Sequence, residues 1–169
     1  RQLDRDPELR SHVGSLWPVE GFDDSLTAER YLRRLGFSAT RLESIRSIGE
    51  SLEEPSLLDT PFDPATPARH RRLALAIALS VAEPYLLLFH EPFAELNRPA
   101  QSFLLERLLV QSLSIPVILF TASTPLAEQL GGATLEFRNG YFRRVSPTKP
   151  EWHLVRVTGV GLRTLNGEL

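Results

Sequence analysis

Apolar positions along this chain fall into two kinds of run, short continuous ones of strand length and longer ones at helical spacing. The first, His12–Leu16 (HVGSL), follows a charged lead and predicts a strand. Ser25 or Thr27 offers an N-cap for a helix over AERYLRRL, with Ala28, Tyr31, Leu32 and Leu35 on one face and Gly36 as its stop. Thr40–Ile48 has the spacing of a second short amphipathic helix. From Pro55 to Pro67 four prolines and two acidic patches predict a surface loop. Thr66-Pro67 then opens the clearest helix, a capping residue followed by proline at the favoured first helical position. Its run ARHRRLALAIALSVAEP puts Leu73, Ile77 and Ser80 or Val81 on one side. The basic residues crowd the early turns and oppose the helix dipole there, so packing or a partner must compensate.

Tyr85–Phe89 (YLLLF) and Pro116–Thr121 (PVILFT) are continuously apolar, as parallel strands buried on both faces are. Between them Ala100–Leu113 is an amphipathic helix with leucines at 104, 105, 108, 109 and 113. Thr124-Pro125 starts a short helix that ends at Gly131-Gly132. TLEFRNGYFRRV reads as a hairpin turned at Asn139-Gly140, and Trp152–Thr158 alternates as a further strand. Helices between buried strands make an α/β layout with a parallel central sheet. In such sheets function collects beyond the carboxyl ends of the strands, here His90–Asn97 and Ala122–Thr124. Residues 1–150 are expected to form one domain and residues 151–169 a C-terminal extension.

Composition narrows the classes. At 169 residues with 42% hydrophobic and 24% charged residues, the chain has the make-up of a globular domain. A net charge of −2 gives no footprint for nucleic acid. Cysteine is absent, which removes disulfides, thiolate metal sites and cysteine nucleophiles together. Methionine is absent too, even at position 1, so the chain is expected to be a processed or excised piece with sequence upstream of Arg1.

The segment RHRRLALAIALSVAEPYLLLFHEPFAELN strongly resembles the ABC ATPase family. Arg71-Arg72-Leu73-Ala74-Leu75-Ala76 is similar to that family's basic helix start. Glu83-Pro84-Tyr85, the strand LLLF and His90-Glu91-Pro92-Phe93 follow in the family's order. PVILFTAS and LEFRNGYFRRV look like its H-loop strand and closing hairpin. LRSHVGSL with FDDSLTAERYL is similar to its Q-loop strand and the helix after it. The resemblance runs from about Leu9 to Val145. It implies an α/β, P-loop NTPase-like fold of the ABC ATPase type with a C-terminal hairpin, the first strand and P-loop missing. The family's P-loop strand lies beside its H-loop strand. An unpaired edge is therefore expected along Val117–Phe120 unless other sequence, another chain or a rearrangement covers it.

The resemblance also says which chemistry has changed. No G-x-x-x-x-G-K-[ST] phosphate loop occurs in these residues. The Walker B aspartate position, which serves magnesium in the family, holds His90. The next position keeps Glu91, which the resemblance makes a water-polarising carboxylate and the bland reading makes a leftover loop residue. The switch histidine falls at Ala122, the D-loop aspartate at Asn97, and the Q-loop glutamine at Pro18, or at Val19 with a one-residue slip. The signature loop maps onto Ala65-Thr66-Pro67-Ala68-Arg69, where proline removes an N–H that would meet phosphate.

Adjacent His90 and Glu91 point to opposite sides of an extended segment, and His12, His70 and His153 stand alone, so no metal site is expected. The ARHRR cluster is expected to be a solvated or interface-facing helix start rather than a phosphate or RNA site. Trp17 and Pro18 suit a partner interface, with Trp17 equally suited to covering the edge of its own core. Together these features imply a degenerate nucleotide-binding domain, a non-catalytic or regulatory subunit of an ABC transporter. Its expected partners are a transporter membrane subunit or a second ABC ATPase subunit, and its expected place is cytoplasmic and peripheral to the membrane. No cofactor is expected. ATP and Mg2+ enter only in the alternative, an active transporter ATPase whose P-loop lies upstream.

Overall fold

The two continuously apolar runs pair with each other. In the computed structural model, β2 (Leu86–His90) and β3 (Val117–Phe120) lie parallel, with Leu87 opposite Val117 and His90 opposite Phe120. β1 (Val13–Leu16) adds in parallel on the far side of β2. The structure describes residues 8, 11–16, 26–61, 66–123, 129–130, 132–138, 141–148 and 154–158.

Parallel neighbours need crossover connections, and helices supply them. Between β1 and β2 run α1 (Ala28–Arg34), α2 (Ala39–Ser51) and α3 (Pro67–Leu79), and between β2 and β3 runs α4 (Arg98–Ser112). Local chemistry sets their starts. The Thr27 hydroxyl accepts from the Arg30 N–H at 3.3 Å, Ser38 from Arg41 at 3.2 Å, and the Asn97 amide oxygen from Ala100 at 3.2 Å. Gly36, at φ +86, ends the turn after α1 in a left-handed conformation. Thr66 departs from expectation: at φ −118 and ψ 66 its side chain makes no capping hydrogen bond, and Pro67 alone carries the start of α3.

α3 buries more of its circumference than one stripe. Leu73, Leu75, Ala76, Ala78, Leu79 and Ser80 are all buried, because α3 packs on β1 and is covered in turn by α2. The contact with β1 is made at Gly14. A Cβ there would sit 2.4 Å from the Ala78 carbonyl oxygen, so only glycine admits the helix this closely.

Burial corrects four expectations. Leu57 and Leu58 lie in the segment read as a surface loop yet are buried, and Leu57 packs closely against Gly49 of α2. Leu35, Tyr85 and Leu113, each placed on a core face, are 59–60% exposed because each lies just beyond the end of its element. Tyr85 instead stacks on His12, ring centroids 4.5 Å apart. In β2 and β3 one face is sealed by Leu87, Phe89, Val117 and Leu119, while the other is only half-covered among the described residues.

Beyond β3 the expected hairpin forms, β4 (Gly132–Arg138) antiparallel to β5 (Tyr141–Thr148), with Arg138 opposite Tyr141. The last described strand, β6 (Leu154–Thr158), runs parallel between β3 and β4 and completes the order β1-β2-β3-β6-β4-β5. The edge of Val117–Phe120 is therefore not unpaired, as the missing P-loop strand had led one to expect. Residues 154–158, from the segment read as an extension, cover it from Val117 to Phe120. No helix among the described residues is long and apolar enough to cross a membrane.

Candidate functional site

The site of interest is where β2 and β3 end side by side. Because His90 is paired with Phe120, the next residues, Glu91 and Thr121, face each other across the strand ends. The chain turns sharply at Glu91, whose φ of 46 lies in the left-handed region that a glutamate occupies at a cost. The surrounding contacts hold it there. The Glu91 N–H donates to the Phe120 carbonyl at 2.7 Å. From α3, Arg71 donates to the carbonyl of His90 at 2.9 Å and also to that of Glu91.

The Glu91 carboxylate points across to the other loop. One oxygen accepts from the Thr121 hydroxyl at 2.9 Å, the other from the Ala122 N–H at 2.5 Å. Thr121 Oγ in turn accepts from the Ser123 N–H at 3.1 Å. Thr121 is 6% exposed, so this bond is shielded on one side.

The basic start of α3 is used inside the molecule. Arg69 donates to the carbonyls of Ser56 at 2.6 Å and Leu57 at 3.3 Å, and Arg72 lies 3.6 Å from the Glu54 carboxylate. The side chains of Arg69 and Arg72 are only 16% exposed, so these two arginines are not solvated as one of the two expectations had it. These arginines reach carbonyls and a carboxylate of the 54–61 turn, whose Leu57 and Leu58 are buried, which offsets their poor placement against the helix dipole. Packing within the chain meets that conflict.

The other sequence-derived positions fall as follows. Thr66, Pro67 and Ala68 form the start of α3, with Pro67 in its first turn. Asn97 caps α4, a structural use that an amide serves well. His90 ends β2, half-buried, and Ala122 is exposed. Trp17 and Pro18 lie outside the described residues, as does most of the short helix expected after Thr124. Thr121 was not singled out in the sequence, and Arg71 was seen only as part of a basic cluster. The β2–β3 register shows why both matter, and neither strand's pattern alone contains that register.

A hard divalent cation wants carboxylate oxygen, yet position 90 offers an imidazole and position 122 a methyl group. The one carboxylate has both oxygens bonded to its own protein. Among the described residues no three His, Asp or Glu side chains cluster as a metal would need. Cavities among the described residues lie elsewhere. One of about 420 Å³ is bounded by Thr27, Glu29, Arg30, Arg33, Leu58 and Asp59, and one of about 250 Å³ lies over Phe103, Glu106, Arg107 and Val110.

No protein-family model and no curated protein matches this sequence. Among solved structures, the chain is similar to one described as an ATP-binding subunit of an ABC transporter, with a TM-score of 0.69 and 20% sequence identity. The match covers 86% of this chain and 64% of that one, so this chain spans under two thirds of its neighbour's length. At that identity the likeness shows the fold: an α/β sheet-and-helix fold of the ABC ATPase type.

Proposed function

We propose that this chain is a degenerate ABC-type nucleotide-binding domain, acting as a non-catalytic or regulatory subunit of an ABC transporter complex. The transporter context comes from the fold it shares with an ABC transporter's ATP-binding subunit. Its partners on this reading are a transporter membrane subunit or a second ABC ATPase subunit, which would hold it at the cytoplasmic face of the membrane.

One observation carries the non-catalytic half. Glu91 is the retained residue of the catalytic type, and both of its oxygens are engaged by Thr121 and Ala122. A general base must reach the proton it abstracts, and here the carboxylate is directed at its own backbone. His90 and Ala122 supply neither the anionic oxygen nor the switch imidazole that would accompany it. The start of α3 adds to the reading, since Pro67 deletes a backbone N–H where a phosphate would be met.

Retention of Glu91 is what favours the alternative, an active transporter ATPase whose phosphate loop lies upstream of Arg1. Titrating the full-length gene product with Mg-ATP separates the two. The non-catalytic reading expects no binding up to millimolar nucleotide. Tight binding with turnover abolished by Glu91→Gln would establish the alternative.

A further inference from the structure

We infer that Glu91 is a fastener: its carboxylate locks the loop after β2 to the loop after β3, so that the two move as one body. The inference goes beyond the functional reading, because the lock would operate whether or not the protein binds nucleotide.

A glutamate at φ 46 is held against its own preference, so something on each side must maintain it. On the β2 side, Arg71 bonds the carbonyls of His90 and Glu91 and ties the turn to α3. On the β3 side, the left-handed turn aims the carboxylate at Thr121 and Ala122. The bonds continue into Ser123 through the Thr121 hydroxyl. Hydrogen bonds to an ionised group are among the stronger ones, and the buried Thr121 limits competition from water. Arg71 thereby ties α3 to the β2 turn, and the Glu91 carboxylate ties that turn to the β3 loop.

The lock makes a prediction that a spent catalytic residue does not. Ala122 is exposed, and its N–H has Glu91 as its partner. In the intact protein that amide should exchange with solvent at least about tenfold slower than an open amide, the effect of one charge-assisted hydrogen bond. Glu91→Ala should release it to the open rate. Glu91→Gln should keep most of the protection: its amide oxygen can still accept from Ala122 and its NH2 can donate to Thr121 Oγ.

The same pattern should appear in urea unfolding. Glu91→Ala and Thr121→Val each lower the folding equilibrium constant about tenfold, the double variant loses clearly less than the product of the two because they share one bond, and Glu91→Gln loses under about threefold. An Ala122 amide that exchanges freely in the intact protein would overturn the lock. So would equal protection in Glu91→Ala, or strictly additive losses in the double variant. If Glu91→Ala fails to fold, the Ala122 exchange rate in the intact protein and in Glu91→Gln still decides. Nucleotide binding is read separately, so failure of the lock and failure of the non-catalytic reading remain distinct.

Discussion

Arginine does two different jobs in this molecule, and the difference is measurable at single residues. Arg41 lies on α2 with its guanidinium 4.1 Å above the Phe37 ring. It donates to Ser80 Oγ at 3.2 Å and to the Ile77 carbonyl at 3.4 Å, both near the C-terminal end of α3. Burial pushes its pKa below the ordinary value, yet the helix-end carbonyl and the ring offset that cost. Arg41→Ala should lower stability by about 1–2 kcal/mol in urea unfolding, through loss of the ring contact and the helix-end bonds. Arg46 sits at the surface between Asp59, at 2.9 and 3.1 Å, and Glu29, at 3.1 Å. The hydrogen bond to Asp59 raises its pKa, but water screens an exposed network of this kind. Arg46→Ala should cost under about 1 kcal/mol, and the loss should vanish in concentrated salt. Neither role was legible in the sequence, because the hydrogen-bond partners, Ser80 and Ile77 for Arg41 and Asp59 and Glu29 for Arg46, lie on other segments of the chain.

At the scale of elements, the close approach of α3 to β1 is the tightest steric requirement. Gly14→Ala would drive a methyl into the Ala78 carbonyl and Leu87. The backbone must shift, so an overpacking loss of about 1–3 kcal/mol is expected as a lowered denaturation midpoint with unchanged slope. The elements themselves were largely legible. β2 and β3 follow from continuous apolar runs, α4 from the leucine spacing, and the hairpin from Asn139-Gly140. What the pattern hid was which surfaces meet. α3 reads as one apolar stripe but is covered on two sides, and Leu57-Leu58 sit among prolines yet fill the space beside Gly49. Periodicity reports that a residue is apolar. Burial depends on a neighbour that may be far along the chain, as with Leu35, Tyr85 and Leu113, which end outside the core.

For the whole molecule, the sheet is held together through β6. It pairs with β3 on one side and β4 on the other, so among the described residues the hairpin joins the remaining sheet through residues 154–158. A proline in a central strand deletes a ladder N–H. Val155→Pro should therefore break cooperative unfolding and expose strand edges, seen as light scattering and reduced far-UV ellipticity. An unchanged transition would show that β6 is dispensable. The candidate site was half legible in the same sense. Glu91, His90 and Ala122 stood out by resemblance to ABC ATPases, whereas Thr121 and Arg71 acquire meaning only when the strand register and the packing of α3 bring them to the same turn.

The central claim is that these strand ends serve structure rather than ATP turnover. Isothermal titration of the full-length gene product with Mg-ATP, paired with phosphate release before and after Glu91→Gln, tests it most directly. The account predicts no saturable binding up to millimolar nucleotide and no turnover for Glu91→Gln to remove. Saturable binding with micromolar dissociation constant, and turnover that disappears in Glu91→Gln, would contradict it.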